Sequence, residues 1–264
     1  MSRTTQRDCQ STKSGRRDWF VTPVECDAPL RLYLTPSQAY EAKGFEFLGK
    51  PSTNTKFASV RVPNLLAFDK NNHALIMEDA GDIPSLKSWV RLDSPRQQVA
   101  SVGQSLGSYL AHIHNTTADD SAIKDVFGSN VIGKDVSSSI YYGGLPAAAS
   151  KFGYTQPFIT AAAEFAENEV LTTNETWTFG DFWTGNVLVS APNEQDAPKL
   201  TVLDLELAKP GTAAFDIGQM GAEMLCLARF RAEDQGSLLL RTFFQAYKAE
   251  CNVGVDTAAV AMRM

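Results

Sequence analysis

The segment FGDFWTGNVLV, residues 179–189, places polar residues among aromatic ones, directly before a run of strand-forming residues. Asp181 lies between two aromatic side chains, and Asn186 follows five positions later. An unpaired polar group costs about 1–3 kcal/mol when it is buried, and an unpaired charge costs more. We therefore expect these two side chains to have partners in the folded protein. The alternative is that both are turn residues of a hairpin, a position that Asp and Asn favour.

A further polar residue, Asp204, stands eighteen positions after Asn186 in VLDLE, residues 202–206, at the end of an apolar run. Short strands at 186–190 and 200–205 would form a hairpin and bring these polar residues together. Their oxygens suit Mg²⁺, a hard cation, and an aspartate can also accept a proton. Phosphoryl transfer needs this inventory, because its catalysis consists of positioning the nucleophile and neutralising phosphate charge.

The composition restricts the partners and the compartment. The chain has 264 residues, of which 44% are hydrophobic, enough for one large domain or two unequal lobes. Its 30 acidic and 24 basic residues give a formal net charge of −6, which argues against a nucleic-acid partner. No apolar stretch approaches the roughly 18 residues of a membrane helix, and no secretory signal is recognisable. The cysteines form no CxxC pair, so we expect a cytoplasmic protein without structural zinc, and no membrane partner.

The front of the chain is predicted to be rich in strands. Residues 1–24 carry little apolar periodicity, and we expect them to form a disordered tail. The front part proper spans 25–77. Its predicted elements are a strand at 30–34, a helix from a Thr35 cap and Pro36 to about Leu48, and strands at 64–68 and 73–77.

A short polar crossing at 78–82 leads to a helical back part, 83–264. Ser94 is predicted to cap a helix whose first residue is Pro95. Apolar residues recur along this helix at intervals of three and four: Val99, Val102, Leu106, Leu110 and Ile113. Further helices are predicted near 157–171, 214–230 and 235–251. Two parts joined by a hinge are a common setting for a ligand cleft.

The stretch GFEFLGK, residues 44–50, matches the GxxxxGK pattern of a phosphate-binding loop. Pro51 stands where that loop needs a hydroxyl residue, and the stretch closes a predicted helix instead of following a buried strand. We therefore interpret Gly49 as the C-cap of the helix.

The ordered motifs resemble a known family. GDFWTGN (180–186) and VLDLE (202–206) resemble the catalytic and metal-binding segments of the aminoglycoside phosphotransferase and choline kinase group. FDIG (215–218), IMEDAG (76–81) and LGSYLAHIH (106–114) resemble its later aspartate, its adenine-holding hinge and its long helix. The resemblance covers about 64–250. It implies an α+β, two-lobed protein-kinase-like fold with a small β-rich N-lobe, 78–82 as hinge, and a larger helical C-lobe containing the catalytic hairpin.

The resemblance also implies roles for the motif residues. Asp181 would orient and deprotonate the hydroxyl of the substrate, and Asn186 and Asp204 would hold Mg²⁺ against the phosphates. Asp216 would brace the catalytic loop. Phe179 stands where the family usually has a histidine that supports this loop, so we expect it to be a structural residue.

The nucleotide site is implied in the same way. Glu78 and Ala80, in the hinge, would hold the adenine of ATP through their backbone groups. Arg31 stands in the predicted strand where the family has a phosphate-binding lysine, and Glu41 matches the acid that pairs with that lysine. The alternative for both charges is that they are solvated or form a surface ion pair. No glycine-rich phosphate loop precedes the first predicted helix.

We therefore expect a phosphotransferase that uses ATP and Mg²⁺ and acts on a hydroxyl of a small molecule. The alternative is a catalytically inactive pseudokinase, acting as a nucleotide-binding or protein-interaction module. Phe179, the missing glycine-rich loop and the arginine in place of lysine all favour this alternative. The same features, with a helix predicted to begin at 256–261, predict a truncated or degenerate member of the group. A metal-dependent hydrolase is less favoured, because the chain lacks a His/Asp ligand cluster.

Overall fold

The computed structural model describes residues 20–21, 31–49, 57–72, 74–92, 94–191, 193, 196–255 and 260–261, with the backbone alone at 20–21 and 31–36. The helices are α1 (Arg31–Leu48), α2 (Leu86–Val90), α3 (Arg96–Thr117), α4 (Ser121–Gly128), α5 (Val131–Val136), α6 (Leu145–Ser150), α7 (Pro157–Thr172), α8 (Ala214–Phe230) and α9 (Glu233–Glu250). A π-helix, Ser137–Gly143, lies between α5 and α6. The strands are β1 (Phe20–Val21), β2 (Val60–Arg61), β3 (Leu65–Asp69), β4 (Ala74–Met77), β5 (Thr176–Thr178), β6 (Val187–Ser190), β7 (Lys199–Val202) and β8 (Lys209–Gly211).

The strands described here form three small sheets. β4 pairs antiparallel with both β1 and β3. β6 and β7 form an antiparallel hairpin in which Val187 lies opposite Val202, and β2 adds to β7 in parallel. β5 pairs antiparallel with β8. The predicted hairpin at 186–190 and 200–205 is therefore present, and the loop between β5 and β6 carries Asp181.

Most other predicted elements are also present. The strands predicted at 64–68 and 73–77 correspond to β3 and β4, and the three later helices correspond to α7, α8 and α9. Phe20–Val21 pairs with β4, so the prediction of a disordered tail fails for these two residues. The other residues of 1–24 lie outside the described residues.

The strand predicted at 30–34 is wrong, because α1 already begins at Arg31. An alternation over five residues is too short to separate a strand from a first helical turn, and Leu and Arg are good helix formers. The predicted cap at Thr35 is wrong for the same reason, since the helix continues through it. The sequence pattern located the end of this helix but missed its first turn.

The end of α1 agrees with the prediction. The helix stops at Leu48, and the backbone N–H of Gly49 donates to the carbonyl of Phe45 at 2.9 Å. Residues 44–48 are helical, which a phosphate-binding loop could not be.

Ser94 does not cap α3, contrary to the prediction. Its hydroxyl donates to the carbonyl of Trp89 at 2.7 Å, and the residue before the helix is Pro95, which has no side-chain cap. Ser94 thus satisfies a carbonyl at the C-terminal end of the preceding helix, α2. The proline ring has no hydrogen-bond acceptor, so α3 starts without a side-chain cap.

Helices α3 and α9 approach each other closely enough for backbone contact. The apolar stripe predicted along α3 is buried in the core. A Cβ atom placed on Gly103 would lie 2.1 Å from Thr242 Oγ1, and one on Gly107 would lie 2.3 Å from the carbonyl oxygen of Phe243. Because these two glycines have no side chain, α3 packs closely against α9. The last turns of α3 place His114 beside Asp216. None of the described helices is long and apolar enough to cross a membrane.

Candidate active site

The carboxylate of Asp181 receives three side-chain hydrogen bonds. Its Oδ1 accepts from Tyr141 Oη at 2.7 Å and from Gln219 Nε2 at 2.6 Å, and its Oδ2 accepts from Asn186 Nδ2 at 3.0 Å. Asp181 is half-buried, and the donors come from the π-helix, from α8 and from its own loop. The expectation that this acid has partners is therefore met.

Buried Asp216, in the first turn of α8, holds the backbone that leads into Asp181. Its carboxylate accepts from the N–H of Phe179 at 2.9 Å and from the N–H of Gly180 at 3.1 Å. His114 Nε2 lies 3.2 Å from the same carboxylate. A neutral His114 that carries its proton on Nε2 can donate to this carboxylate. Asp216 thus contacts both residues that precede Asp181.

Gly180 has a positive φ of 81°. A Cβ atom at this position would lie 2.1 Å from the carbonyl oxygen of Leu207 and 2.8 Å from Lys209 Nζ. A side chain is therefore excluded twice, by the backbone angle and by the lack of space. The glycine before the aspartate in GDFWTGN is a steric requirement of the loop.

The aromatic residues of the loop form a packed group. Phe179 is buried, stacks on Phe182 at 4.7 Å between ring centroids, and meets the edge of Trp177 at 4.8 Å. Its ring makes apolar contacts, while its backbone N–H contacts Asp216. The hydrogen bond that anchors the loop at this residue thus comes from the backbone and does not need a histidine side chain.

The hairpin brings Asn186 and Asp204 to the same place. Asn186 Nδ2 donates to the carbonyl of Asp181 at 3.1 Å, and the carbonyl of Asn186 accepts from the N–H of Leu203 at 2.9 Å. Burial, followed by the charges of Glu206 and Asp181, raises the pKa of Asp204 to about 6, while the Asn186 side chain opposes the shift by donating a hydrogen bond. Asp204 adopts a left-handed backbone angle, φ 62°, which is uncommon for a residue other than glycine.

Glu41 on α1 faces other carboxylates. Burial, together with the charges of Asp204 and Glu206, raises its pKa to about 8. Burial likewise raises the pKa of Glu206, and the charge of Asp181 raises it too. The hydrogen bond that Ser37 Oγ donates to Glu206 Oε2 at 2.9 Å opposes this shift. The acids of this cluster repel one another, which a bound dication would relieve.

Carboxylate and amide oxygens of this kind fit Mg²⁺ as a partial ligand set. Within the described part of the chain, no three His, Cys, Asp or Glu side chains form a group that could hold a metal ion alone. In phosphoryl-transfer sites Mg²⁺ is usually bound by one or two carboxylates together with substrate phosphates. Asn186 directly precedes β6, and Asp204 follows the paired strand β7.

Arg31 does not lie in a strand beside Glu41. Both residues belong to α1, ten positions apart. A helix rises 1.5 Å per residue, so their Cα atoms are about 15 Å apart along the axis. A lysine-like partner on a separate strand, as the resemblance implies, is thus not provided by Arg31.

The segment expected to be a hinge turns sharply after β4. Glu78 Oε2 accepts from Arg61 Nη1 at 2.9 Å and from Asn64 Nδ2 at 2.7 Å. Although partial burial acts to raise the pKa of Glu78, these hydrogen bonds hold it below its usual value. The next turn is closed by Asp79, whose Oδ1 accepts from the N–H of Gly81 at 2.8 Å. The side chain of Glu78 thus anchors the segment, and its backbone N–H donates to the carbonyl of Asn64 at 2.9 Å.

A cavity of about 580 Å³ opens beside Asp181. Its wall is formed by residues of the π-helix, of the Asp181 loop and of α8, together with Lys209. Those that carry aromatic or polar groups are Tyr141, Tyr142, Trp183, Phe215, Ser137, Lys209, Gln219 and Glu223. Four of these residues, Tyr141, Lys209, Gln219 and Glu223, were not predicted from the sequence. Gln219 and Glu223 follow Asp216 at helical spacing, and this signal could have indicated them.

Lys209 is a buried cation in the cavity wall. Its Nζ donates to Ser137 Oγ at 2.7 Å and to the carbonyl of Leu207 at 3.2 Å. Burial lowers the pKa of Lys209 to about 8, and the charges of Asp216 and Asp181 oppose the shift. An ammonium group can donate three hydrogen bonds, and its position beside Gly180 places this charge under the loop.

Glu223 adds a carboxylate to the opposite part of the cavity. Its Oε2 accepts from Lys87 Nζ at 3.2 Å and from Thr184 Oγ1 at 3.4 Å. The same Lys87 Nζ lies 4.9 Å from the centre of the Trp183 ring. Glu223 stands one helical turn, about 6 Å along α8, beyond Gln219, whose side chain contacts Asp181.

Known proteins are similar to this chain in sequence. The chain is 31% identical over 213 residues to a 4-hydroxytryptamine kinase of Psilocybe cubensis, a match that covers 76% of this chain and 58% of that protein. A 4-hydroxytryptamine kinase of Psilocybe cyanescens is 27% identical over 237 residues, covering 86% and 65% of the two chains. The chain therefore spans about three fifths of the length of these relatives.

Solved structures show the same fold. An aminoglycoside-3'-phosphotransferase of type VIII superposes with a TM-score of 0.55 at 14% identity, covering 87% of this chain and 78% of the other. An aminoglycoside phosphotransferase from Streptomyces rimosus, in complex with ADP and streptomycin, gives 0.53 at 11% identity, covering 93% and 83%. The predicted α+β protein-kinase-like fold is confirmed.

The model of the phosphotransferase enzyme family matches residues 52–254. This range includes the predicted hinge, the Asp181 loop, the hairpin and Asp216. Since the match covers well over half of the 264 residues, the chain belongs to the phosphotransferase enzyme family, as the resemblance of its motifs predicted.

Proposed function

We propose that the protein is a cytoplasmic kinase that uses ATP and Mg²⁺ to phosphorylate a hydroxyl of a small molecule, with Asp181 as the catalytic base. The observation that carries this proposal is the position of Asp181. Its loop is fixed by Asp216, its carboxylate adjoins Asn186, and it borders a cavity of about 580 Å³. A base must be held within hydrogen-bond reach of the proton that it accepts, and a fixed loop beside an open cavity meets this need.

The donor side of the site would be formed by the hinge and the hairpin. The backbone groups of Glu78 and Ala80 would hold adenine, and the side-chain oxygens of Asn186 and Asp204 would hold Mg²⁺. The metal would supply neutralisation of the phosphate charge. A structural relative that binds ADP supports the choice of an adenine nucleotide.

The acceptor side favours an aromatic amine that carries a hydroxyl. The rings of Tyr141 and Trp183 in the cavity wall would pack against an aromatic acceptor. The carboxylate of Glu223 would pair with an ammonium group, about 6 Å along α8 from the Gln219 side chain that contacts Asp181. The relatives named 4-hydroxytryptamine kinase support an acceptor of this class.

The chain's own residues have separate tasks in this reaction. Asp181 accepts the proton of the acceptor hydroxyl as the oxygen attacks the terminal phosphorus, and ADP leaves. Gln219 and Asn186 fix the orientation of the Asp181 carboxylate. Asp216 keeps the loop from moving while the charge changes.

The test is ADP production by purified protein with ATP, Mg²⁺ and a small set of acceptors: 4-hydroxytryptamine, choline and an aminoglycoside. We expect turnover with 4-hydroxytryptamine, and a fall of about 100- to 10,000-fold in kcat for Asp181→Asn, the range that a general base contributes. Asp125→Asn, an exposed acid on α4, is the matched control and should retain full activity. Turnover that survives Asp181→Asn would sink the assignment of the base.

The second candidate function is a nucleotide-binding pseudokinase. The observation that favours it is the surroundings of Glu41, which faces Asp204 and Glu206 where an active member of the group has a lysine partner. Thermal melts with Mg²⁺ and ATP separate the two functions. A shift of the melting temperature without any turnover favours the pseudokinase, and a shift with turnover favours the kinase.

A further inference from the structure

The hydroxyl of Tyr141 makes the contact that an acceptor hydroxyl has to make. It donates to Asp181 Oδ1 at 2.7 Å. A general base must lie within about 2.6–3.2 Å of the atom whose proton it takes. A phenol of the protein itself thus occupies the place beside the proposed base.

The cavity-side oxygen of Asp181 is fully used. Oδ1 accepts from both Tyr141 and Gln219, and these two side chains line the cavity. Oδ2 accepts from Asn186, which does not belong to the cavity wall. A carboxylate oxygen has two acceptor positions, so a hydroxyl that binds at Oδ1 must replace one of its two donors.

Tyr141 is the donor that can leave. Its residue is 36% exposed, whereas Gln219 lies on α8 one turn after Asp216, which anchors that helix to the loop. Tyr141 belongs to the π-helix Ser137–Gly143. This geometry is rare in proteins, and where it occurs it often marks a functional site. Burial of its hydroxyl, followed by the charge of Asp181, raises the pKa of Tyr141, so the group stays protonated and remains a donor.

We propose that Tyr141 holds the acceptor position of the unliganded protein and that an aromatic hydroxyl of the substrate displaces it from Asp181 Oδ1. Tyr141 is then a specificity-determining residue. Because its own phenol occupies the position at Oδ1, that position suits the phenolic hydroxyl of a substrate. The Tyr141 hydroxyl also keeps water away from the base until an acceptor arrives. The proposal rests on the proposed function, in that it takes Asp181 as the group that receives the acceptor hydroxyl.

The test compares Tyr141→Phe with the wild-type protein by calorimetry, without nucleotide, using 4-hydroxyindole and indole as probes. The substitution removes the hydroxyl and keeps the ring. We expect 4-hydroxyindole to bind about tenfold more tightly to Tyr141→Phe, because a hydrogen bond to a charged group no longer has to be broken. Indole has no hydroxyl to place at Oδ1 and should bind equally to both proteins.

Tyr154→Phe is the control, since Tyr154 is exposed and lies outside the cavity wall; it should bind both probes like the wild type. In the presence of ATP and Mg²⁺ alone, Tyr141→Phe should hydrolyse ATP several-fold faster than the wild type. Weaker or unchanged binding of 4-hydroxyindole to Tyr141→Phe, or equal gains for both probes, overturns the proposal. The binding result does not depend on turnover, so failure of phosphoryl transfer and failure of the Tyr141 proposal are distinguishable.

Discussion

The carboxylate of Asp216 accepts the backbone N–H of Gly180 at 3.1 Å, across 36 residues of sequence. The helix α8 is thereby joined to the residue that precedes the proposed base. His114 of α3 lies at the same carboxylate, and its other ring nitrogen lies 2.9 Å from the hydroxyl of Tyr247 on α9. The conformation of the loop therefore depends on the packing of the α3, α8 and α9 helices behind it.

Asp216→Ala is expected to destabilise the protein strongly. The change leaves His114 and the N–H groups of Phe179 and Gly180 buried without their acceptor. Each unsatisfied buried group costs about 1–3 kcal/mol, so a loss of about 3–5 kcal/mol in the free energy of unfolding is expected. Urea denaturation measures it. Asp125→Ala, at an exposed position, should change this free energy by less than about 0.5 kcal/mol.

A comparison of Gly180→Ala with Gly153→Ala separates the cost of a steric clash from the cost of backbone strain. Gly153 has nearly the same angle, φ 82° against 81°, but nothing within 4 Å of a Cβ atom. Gly153→Ala should therefore cost only the left-handed backbone, about 1–2 kcal/mol. Gly180→Ala adds a clash with the Leu207 carbonyl and should cost more and also lower kcat. Equal losses of stability in the two variants would show that the backbone near Leu207 can move and accommodate the added Cβ atom.

The sequence predicted the parts of the site that lie within one local motif. Asp181, Asn186 and Asp204 were identified because a hairpin of two short strands necessarily brings their positions together. The hairpin and the helices α7, α8 and α9 were likewise readable from apolar periodicity. Local patterns of this kind depend on neighbours in sequence, which are visible before folding.

The cavity wall depends on contacts that no local pattern records. Tyr141 reaches Asp181 across 40 residues, from a π-helix whose sequence has no distinguishing period. Lys209 would be expected at the surface from its residue type, yet it is buried, with Ser137 Oγ and the Leu207 carbonyl accepting its hydrogen bonds. The strand predicted at 30–34 is wrong for the opposite reason. An alternation over five residues is a local pattern, but it is too short to distinguish a strand from a helical turn.

The stability of the protein should depend on pH through Lys209. Its pKa is about 8 in the folded state, against 10.5 for the ordinary side chain. Between these values the unfolded chain binds more protons than the native one, so stability rises as pH increases from about 8 to 10. Lys209→Met removes this titration, so wild type should gain stability relative to the variant over that range. A constant difference in the free energy of unfolding from pH 7 to 10 would contradict a depressed pKa for Lys209.

Mg²⁺ with ADP should raise the melting temperature of the wild-type protein, because a ligand that binds only the native state stabilises it. Asp204→Asn should reduce this shift, since it removes a charge from the proposed metal site and leaves the hairpin intact. The same variant should be more stable than wild type without metal, because burial and the charges of Glu206 and Asp181 oppose the ionised form of Asp204. Differential scanning fluorimetry measures both effects, with Asp125→Asn as control. A full Mg²⁺-dependent shift in Asp204→Asn would remove Asp204 from the metal site and leave Asn186 as the remaining proposed ligand.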